Sequence, residues 1–235
     1  MKKWVLVVIG GALVIWAAAY AMLGKKSDGL ISKLNAHVLV IPSHYSLEGE
    51  VPGWLRRLPG LDSSNKEILL GFDADELAAQ IAGYKPWDGK YKENIAVDLA
   101  ALNSVEIDRV SHPEELKDIW YGTGSYKDRT VEPYQDHPWY KVFRKVEYPN
   151  SWAVVTQYPD TAKPLPSDAA GVLLAECLTL HSPLVTSGKR IDCVSNRLMG
   201  DMNMEFHISE QNLPVVDAVK DYLQTKILSW EIANR

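Results

Sequence analysis

An α+β fold with a largely antiparallel sheet and a few packed helices follows from three features of the sequence. Strand-like segments are interspersed with few helix-like ones. Several strand candidates alternate apolar and polar residues, the pattern of a sheet with one wet face. The chain also holds one strongly amphipathic helix to lay on that sheet. The clearest strand is 202–208, where Met202, Met204, Phe206 and Ile208 alternate with Asn203, Glu205 and His207. The clearest helix follows at once. From Leu213 onward, Val216, Val219, Leu223, Ile227 and Trp230 recur at spacings of three and four, with Asp217, Lys220, Asp221 and Gln224 on the other side.

The other elements are read in chain order. Residues 4–23 form a run of 20 uncharged, mostly apolar residues after Met-Lys-Lys, closed by Lys25 and Lys26. At helical rise such a run can cross a hydrocarbon core. Ala19-Tyr20-Ala21 also fits the small-x-small pattern that precedes a signal-peptidase cut. Residues 1–24 are therefore read as a signal peptide or a membrane anchor, 25–35 as a polar linker, and 36–235 as a periplasmic domain. Residues 37–41 are a short apolar strand ended by Pro42, 43–59 an irregular loop with Trp54, and 67–72 a second strand. Asp73, with Glu76 three positions later, is a capping-box-like helix start, with Leu77, Ala78 and Ile81 as the apolar side and Gly83 as the stop.

Residues 95–102 and 105–110 read as two further strands. Ser111-His112-Pro113-Glu114 reads as a capping box for a helix through Trp120, broken by Gly122 and Gly124. Residues 152–157 are strand-like. The proline-rich connection 159–166 marks an expected internal boundary, and the apolar run 168–180 reads as a buried helix.

Composition excludes several classes. Of 235 residues, 46% are hydrophobic and 23% charged, the values of an ordinary globular protein. Disordered, collagen-like and multi-span membrane chains are thereby ruled out. Lys2, Lys3, Lys25 and Lys26 are four of the 25 basic residues, and none of the 30 acidic ones precedes Lys26, so the body carries 21 basic against 30 acidic groups, a net of −9. Such a body repels phosphate backbones and attracts basic partners. No nucleic acid is expected to bind.

No motif fixes a reaction. A G-x-S-x-G elbow is absent. Gly122-Thr123-Gly124 lacks the third glycine of a dinucleotide fingerprint, and Gly188-Lys189-Arg190 lacks the rest of a phosphate loop. Ser63-Ser64-Asn65-Lys66 has the spacing of a Ser-x-x-Lys motif but lies in a polar turn without companions. The six histidines are scattered, so no metal site and no cofactor is expected. Cys177 and Cys193, the only cysteines, are sixteen positions apart; an export route favours a disulfide between them over two buried thiols.

The aromatic balance is unusual: eight Trp and eleven Tyr, but three Phe. Tyr and Trp suit surfaces that are both wet and sticky. They are densest in 121–148, either as a satellite core under a long loop or as a recognition surface.

Taken together, an export signal, a compact acidic body, aromatic-rich loops and no assembled catalytic set give a layout. It resembles that of the small periplasmic immunity proteins that neutralise secreted antibacterial toxins, such as type VI lipase or phospholipase effectors. The resemblance spans the whole chain and rests on layout. It implies a non-enzymatic role: binding a secreted lipase or phospholipase toxin and occluding its active site. Asp73, Asp75, Tyr126, Trp139 and Tyr140 are the candidate contacts, an acidic loop standing in for a substrate phosphate. The expected location is the periplasm, soluble or tethered to the inner membrane through residues 4–23. Two alternatives stand beside it: an envelope hydrolase built on Cys177 and His181 or on acidic residues near His207, and a structural component of an envelope complex.

Overall fold

The computed structural model describes residues 29–47, 67–144, 150–166, 171–181 and 187–232. The apolar run 4–23 and Trp54 lie outside them. No helix among the described residues is long and apolar enough to cross a membrane.

Twelve strands and four α-helices follow one another in these residues: β1 (Gly29–Leu34), β2 (His37–Pro42), β3 (Glu67–Phe72), α1 (Ala74–Gln80), β4 (Trp87–Asp88), β5 (Tyr91–Lys92), β6 (Ile95–Ala101), α2 (Ser104–Ser111), α3 (Glu114–Tyr121), β7 (Thr130–Pro133), β8 (Tyr140–Phe143), β9 (Ser151–Val155), β10 (Leu173–His181), β11 (Lys189–Met199), β12 (Met202–Ser209) and α4 (Val216–Leu228). Eight strands form one sheet in the order β3-β6-β12-β11-β10-β9-β8-β7. Every neighbouring pair is antiparallel. The expected fold class is the one observed.

The pleat sends alternate residues to opposite sides. On one side Ile68, Leu70, Phe72, Val97, Leu99, Met202, Met204, Phe206 and Ile208 are buried, together with Val216, Val219, Leu223 and Ile227 of α4. The alternation of β12 and the three-and-four spacing of α4 thus meet in one core, and Trp230 joins it. Asn212 feeds the chain from β12 into α4. Its Nδ2 donates to the Lys85 carbonyl at 3.0 Å, and its Oδ1 accepts from the Lys85 amide at 2.7 Å. Two residues, Gly200 and Asp201, turn β11 into β12, and Gly200 takes the left-handed φ of +67° that such a turn demands.

The hairpin β1–β2 lies outside this sheet and is clamped to it by His37. Its Nδ1 lies 2.7 Å from Glu231 and its Nε2 2.7 Å from Asp201, which also accepts from Asn35 at 2.9 Å. Burial works against a charge on His37, but hydrogen bonds to Glu231 and Asp201 outweigh it and raise its pKa. A second clamp joins α1 to α4. The Glu76 carboxylate accepts from Tyr45 at 2.5 Å and Tyr222 at 2.6 Å, with Lys226 at 3.2 Å.

Four local expectations need correction. Asp73 does cap α1, accepting from the Asp75 amide at 2.8 Å, but Glu76 turns into the clamp above instead of closing a box. Residues 105–110 are helix α2, not a strand. Asn103 caps them, accepting from the Val105 and Glu106 amides, and Glu106 answers to the Asn103 amide at 2.8 Å. That box nucleates a helix in a segment whose alternation suggested a wet strand. Ser111 ends α2 and caps nothing; α3 starts after Pro113 without a side-chain cap. The run 168–180 is not a helix. Its described part is β10, a strand, because it is paired on both sides, to β9 and β11. A short apolar run carries no helix period of its own, and pairing decides it. Six strands have no counterpart in the sequence reading: β1, inside the expected linker, the short β4 and β5, β7 and β8 in the aromatic segment, and β11, the longest in the sheet.

Two outcomes check this architecture. His37 is protonated more readily in the folded chain than in the unfolded one. Its contribution to stability is full below pH about 6.5 and is lost as pH rises through the folded value. Thermal melts between pH 6 and 9 are expected to show a smaller loss in His37→Ala than in the parent chain. Removing the Cys177–Cys193 bridge, which closes a sixteen-residue separation, is expected to cost about 3 kcal/mol, measured by urea unfolding of the Cys177→Ser/Cys193→Ser chain.

Candidate functional site

The two faces of the sheet are covered unequally. At the β7–β9 end the second face is closed by α3. Leu116, Ile119 and Trp120 pack there with Tyr126, Val142, Ala153, Val155 and Val172 in a second core. Trp120 Nε1 donates to the Lys163 carbonyl at 2.9 Å, and Arg129 donates to the carbonyls of Trp120 and Pro159. These bonds fasten the proline-rich connection over this end.

From β3 to β10 the same face is open over its middle rows, while Asp192 and Ser209 toward one end are buried and α2 packs against β11 toward the other. Strand register sets its composition row by row. Leu69, Asp98, Glu205 and Asn196 form one cross-strand row. His207, Val194 and Glu176 form the next, and Ser209, Asp192, Leu178 and Ser151 the third. Leu69 is 44% exposed, Leu178 42% and Leu180 41%, and Asp98, Asn196, Glu205 and His207 are also exposed. Between β9 and β12 lies a shallow depression of about 340 Å³ bordered by Ser151, Glu176, Leu178, Val194, Asn196 and Glu205.

The open face is acidic. Asp98 and Glu205 stand directly opposite each other across β6 and β12. No cation among the described residues lies within ion-pair distance of either carboxylate. Burial and the nearby Glu67 raise the Asp98 pKa. At the rim, one guanidinium serves two carboxylates: Arg144 donates to Glu115 of α3 and, at 3.3 Å, to Glu176 of β10. Burial, the Glu115 carboxyl and Glu205 push Glu176 up to about 8 against the pull of Arg144.

The histidine on this face is accounted for locally. His207 Nδ1 lies 2.7 Å from Asp192, whose other oxygen lies 2.5 Å from Arg190, and Arg190 continues to the buried Glu93 at 3.0 Å. The bond to Asp192 raises the His207 pKa, with Glu205 adding to it. Asp192 orients the imidazole, but no hydroxyl or thiol among the described residues is hydrogen-bonded to it. The set is a charge ladder along the strands, and a nucleophile–base pair is not assembled.

The residues singled out in the sequence do not form one surface. Asp73 and Asp75 each lie 2.7 Å from Lys92. Tyr126 is fully buried in the second core and offers no contact area, a correction to its reading as a contact. Trp139 is half-buried, stacked on His137 at 4.5 Å and edge-on to Tyr134 at 5.6 Å. Tyr140 meets Tyr158 at 5.4 Å. Lys141 sits over the rings of Tyr134 and Trp152 and reaches Glu210 at 2.6 Å. The aromatic segment therefore packs largely on its own chain. Five strands separate β3, which leads into Asp73, from β8, which carries Tyr140.

Cys177 and Cys193 are directly opposite on β10 and β11 and are joined in a disulfide. That removes the thiol of the Cys177–His181 alternative, and four residues of strand hold the two side chains roughly 13 Å apart. Among the described residues no group of three or more His, Cys, Asp and Glu is arranged to hold a metal ion.

Comparison with known proteins is brief. No family model matches the chain, and no curated protein matches it. Among solved structures, the chain is similar to Smlt3025, an immunity protein of the Stenotrophomonas maltophilia type IV secretion system. The two share 10% identity and a TM-score of 0.48, over 88% of this chain and 94% of that one.

The electrostatics of the rim are open to measurement. A carboxyl whose folded pKa is raised is bound to its proton more tightly in the folded state, so stability falls as pH climbs from the ordinary carboxylate range toward about 8. Glu176→Gln is expected to remove that decline and to melt a few degrees above the parent at pH 8.5, with little difference at pH 4.5. Equal melting temperatures at both pH values would contradict the assignment.

Proposed function

We propose that the chain is an exported protein-binding module of the immunity type, which neutralises a secreted antibacterial toxin by covering its active site. The observation that carries this reading is the open half of the sheet. Opposite the main core, Leu178 and Leu180 on β10 and Leu69 four strands away on β3 stand in solvent among carboxylates. Exposed apolar groups rimmed by polar ones mark contact with another macromolecule.

The disulfide supports residence in an oxidising compartment. With the uncharged run 4–23 it favours the periplasm, the chain being soluble or held at the inner membrane. A lipase or phospholipase delivered by a type VI system is the toxin class that the layout suggests. Its substrates carry ester and phosphate groups, and a carboxylate-rich face offers such a site an anionic substitute that cannot be cleaved.

The test is survival. Cells expressing the full chain are challenged with a panel of lipase and phospholipase toxins directed to the envelope. Protection against one member is expected, with inhibition at a one-to-one ratio and nanomolar affinity on the order of that of antibody–antigen pairs. Absence of both protection and binding across the panel, or turnover of a substrate by the purified chain, would overturn the reading.

A further inference from the structure

Resting on the reading that the open face is where a partner docks, we propose that its occupant is a folded protein presenting lysine or arginine side chains at the centre of its contact surface, with apolar groups to either side. It seats across β3, β6, β12, β11 and β10. The rows of the face set this pattern. Leu69 stands at one flank, and Leu178 and Leu180 at the other beside Glu176 on the same strand, with Asp98 and Glu205 on the strands between. Like charges directly opposite each other on neighbouring strands are destabilising. A sheet shaped for stability alone would set a lysine against Asp98 or Glu205. Here neither carboxylate has a described cation at ion-pair distance, Glu205 acting at longer range on His207 two positions along its strand, and Arg144, at the rim, is already shared between Glu115 and Glu176. Cations arriving from outside meet these carboxylates without having to displace an ion-paired partner, so complementary charge strengthens docking there and fixes its register.

Charge also removes the other occupants. Anionic lipid and nucleic acid carry the same sign as the face. A second copy carries the same net −5, and a two-fold contact through this face would set Asp98 and Glu205 of each copy against those of the other. An added β-strand docks on a sheet edge through its backbone and leaves a sheet face unused.

The experiment places the photo-crosslinking residue p-benzoyl-phenylalanine at Leu69 and Leu178, on strands of the face, and at Val105, 68% exposed on helix α2 and on none of the five strands. The full chain is used, in the cells that produce it, and adducts are identified by mass spectrometry. Adducts are expected at positions 69 and 178 and not at 105, to a partner peptide containing lysine or arginine. Their yield is expected to fall about tenfold or more in the Asp98→Lys/Glu205→Lys chain. The milder Asp98→Asn/Glu205→Gln chain is expected to lose part of the adduct while melting no lower than the parent, which separates lost docking from lost folding. Face adducts indifferent to charge reversal overturn the proposal, as do adducts to lipid, a second copy or another segment of the same chain. Adducts confined to position 105 in cells that are still protected from the toxin overturn it while the binding-module reading stands. Adducts nowhere, with no protection, overturn both.

Discussion

The contact on which the rest of the molecule depends is the seating of α4 on the apolar side of β12 and its neighbours. Val216, Val219, Leu223 and Ile227 lie fully or almost fully buried in one core with Met202, Met204, Phe206 and Ile208. Burial at this scale is the dominant favourable term in folding, and it fixes more than stability. Because side chains alternate along a strand, committing the even-numbered residues of β12 to the core commits Asn203, Glu205 and His207 to the opposite face. Register then carries the choice outward: Glu205 brings Asp98 with it on β6 and Asn196 on β11. The chemistry of the open face is thus a consequence of which side the helix covers.

The polar interactions fall into two kinds. His37 between Asp201 and Glu231, Glu76 between two tyrosines and Lys226, and Arg190 between Glu93 and Asp192 each meet opposite charge or a donor at close range, although Glu93 Oε1 and Arg190 Nε have no hydrogen-bond partner among the described residues. They tie peripheral elements to the sheet. On the open face the balance is reversed: Asp98 and Glu205 are paired across β6 and β12 with no described cation at ion-pair distance, and Glu176 shares one guanidinium with Glu115. Local stability given up at an exposed surface is the usual sign that the surface serves another purpose. The disulfide lies on the covered side of the same strands, where Cys177 and Cys193 are buried, so the rigid part of the sheet directly underlies its open part.

Some elements were legible because their pattern is long and regular. The strand 202–208, the helix after Leu213, the strand 67–72 and the Asp73 cap stand where the periodicity puts them. The misreadings have separate causes. In 105–110, alternation over six residues was outweighed by the Asn103–Glu106 capping box immediately upstream. The run before Cys177 has no period of its own, and only pairing with β9 and β11 makes it a strand. Trp139, Tyr140 and Tyr126 were singled out by density of residue type, yet a dense aromatic segment serves a core as readily as a surface, and Tyr126 belongs to the core. Glu205 is legible as part of the wet side beside His207, but its neighbours Asp98 and Glu176 are not, because 107 positions separate Asp98 from Glu205 and only strand pairing joins them.

The sequence by itself determined the class of fold, the acidity of the body, the alternation of its central strand and the presence of a cysteine pair able to close. These are properties of composition and of spacing within ten or so residues, and local physics is enough to read them. Only the tertiary structure decided which strands are neighbours, which half of the second face α3 covers, and which carboxylates stand side by side in solvent. The reason is that strand pairing is non-local: backbone hydrogen bonds carry no side-chain label, so the partner of Glu205 is chosen by how the whole sheet buries its apolar side.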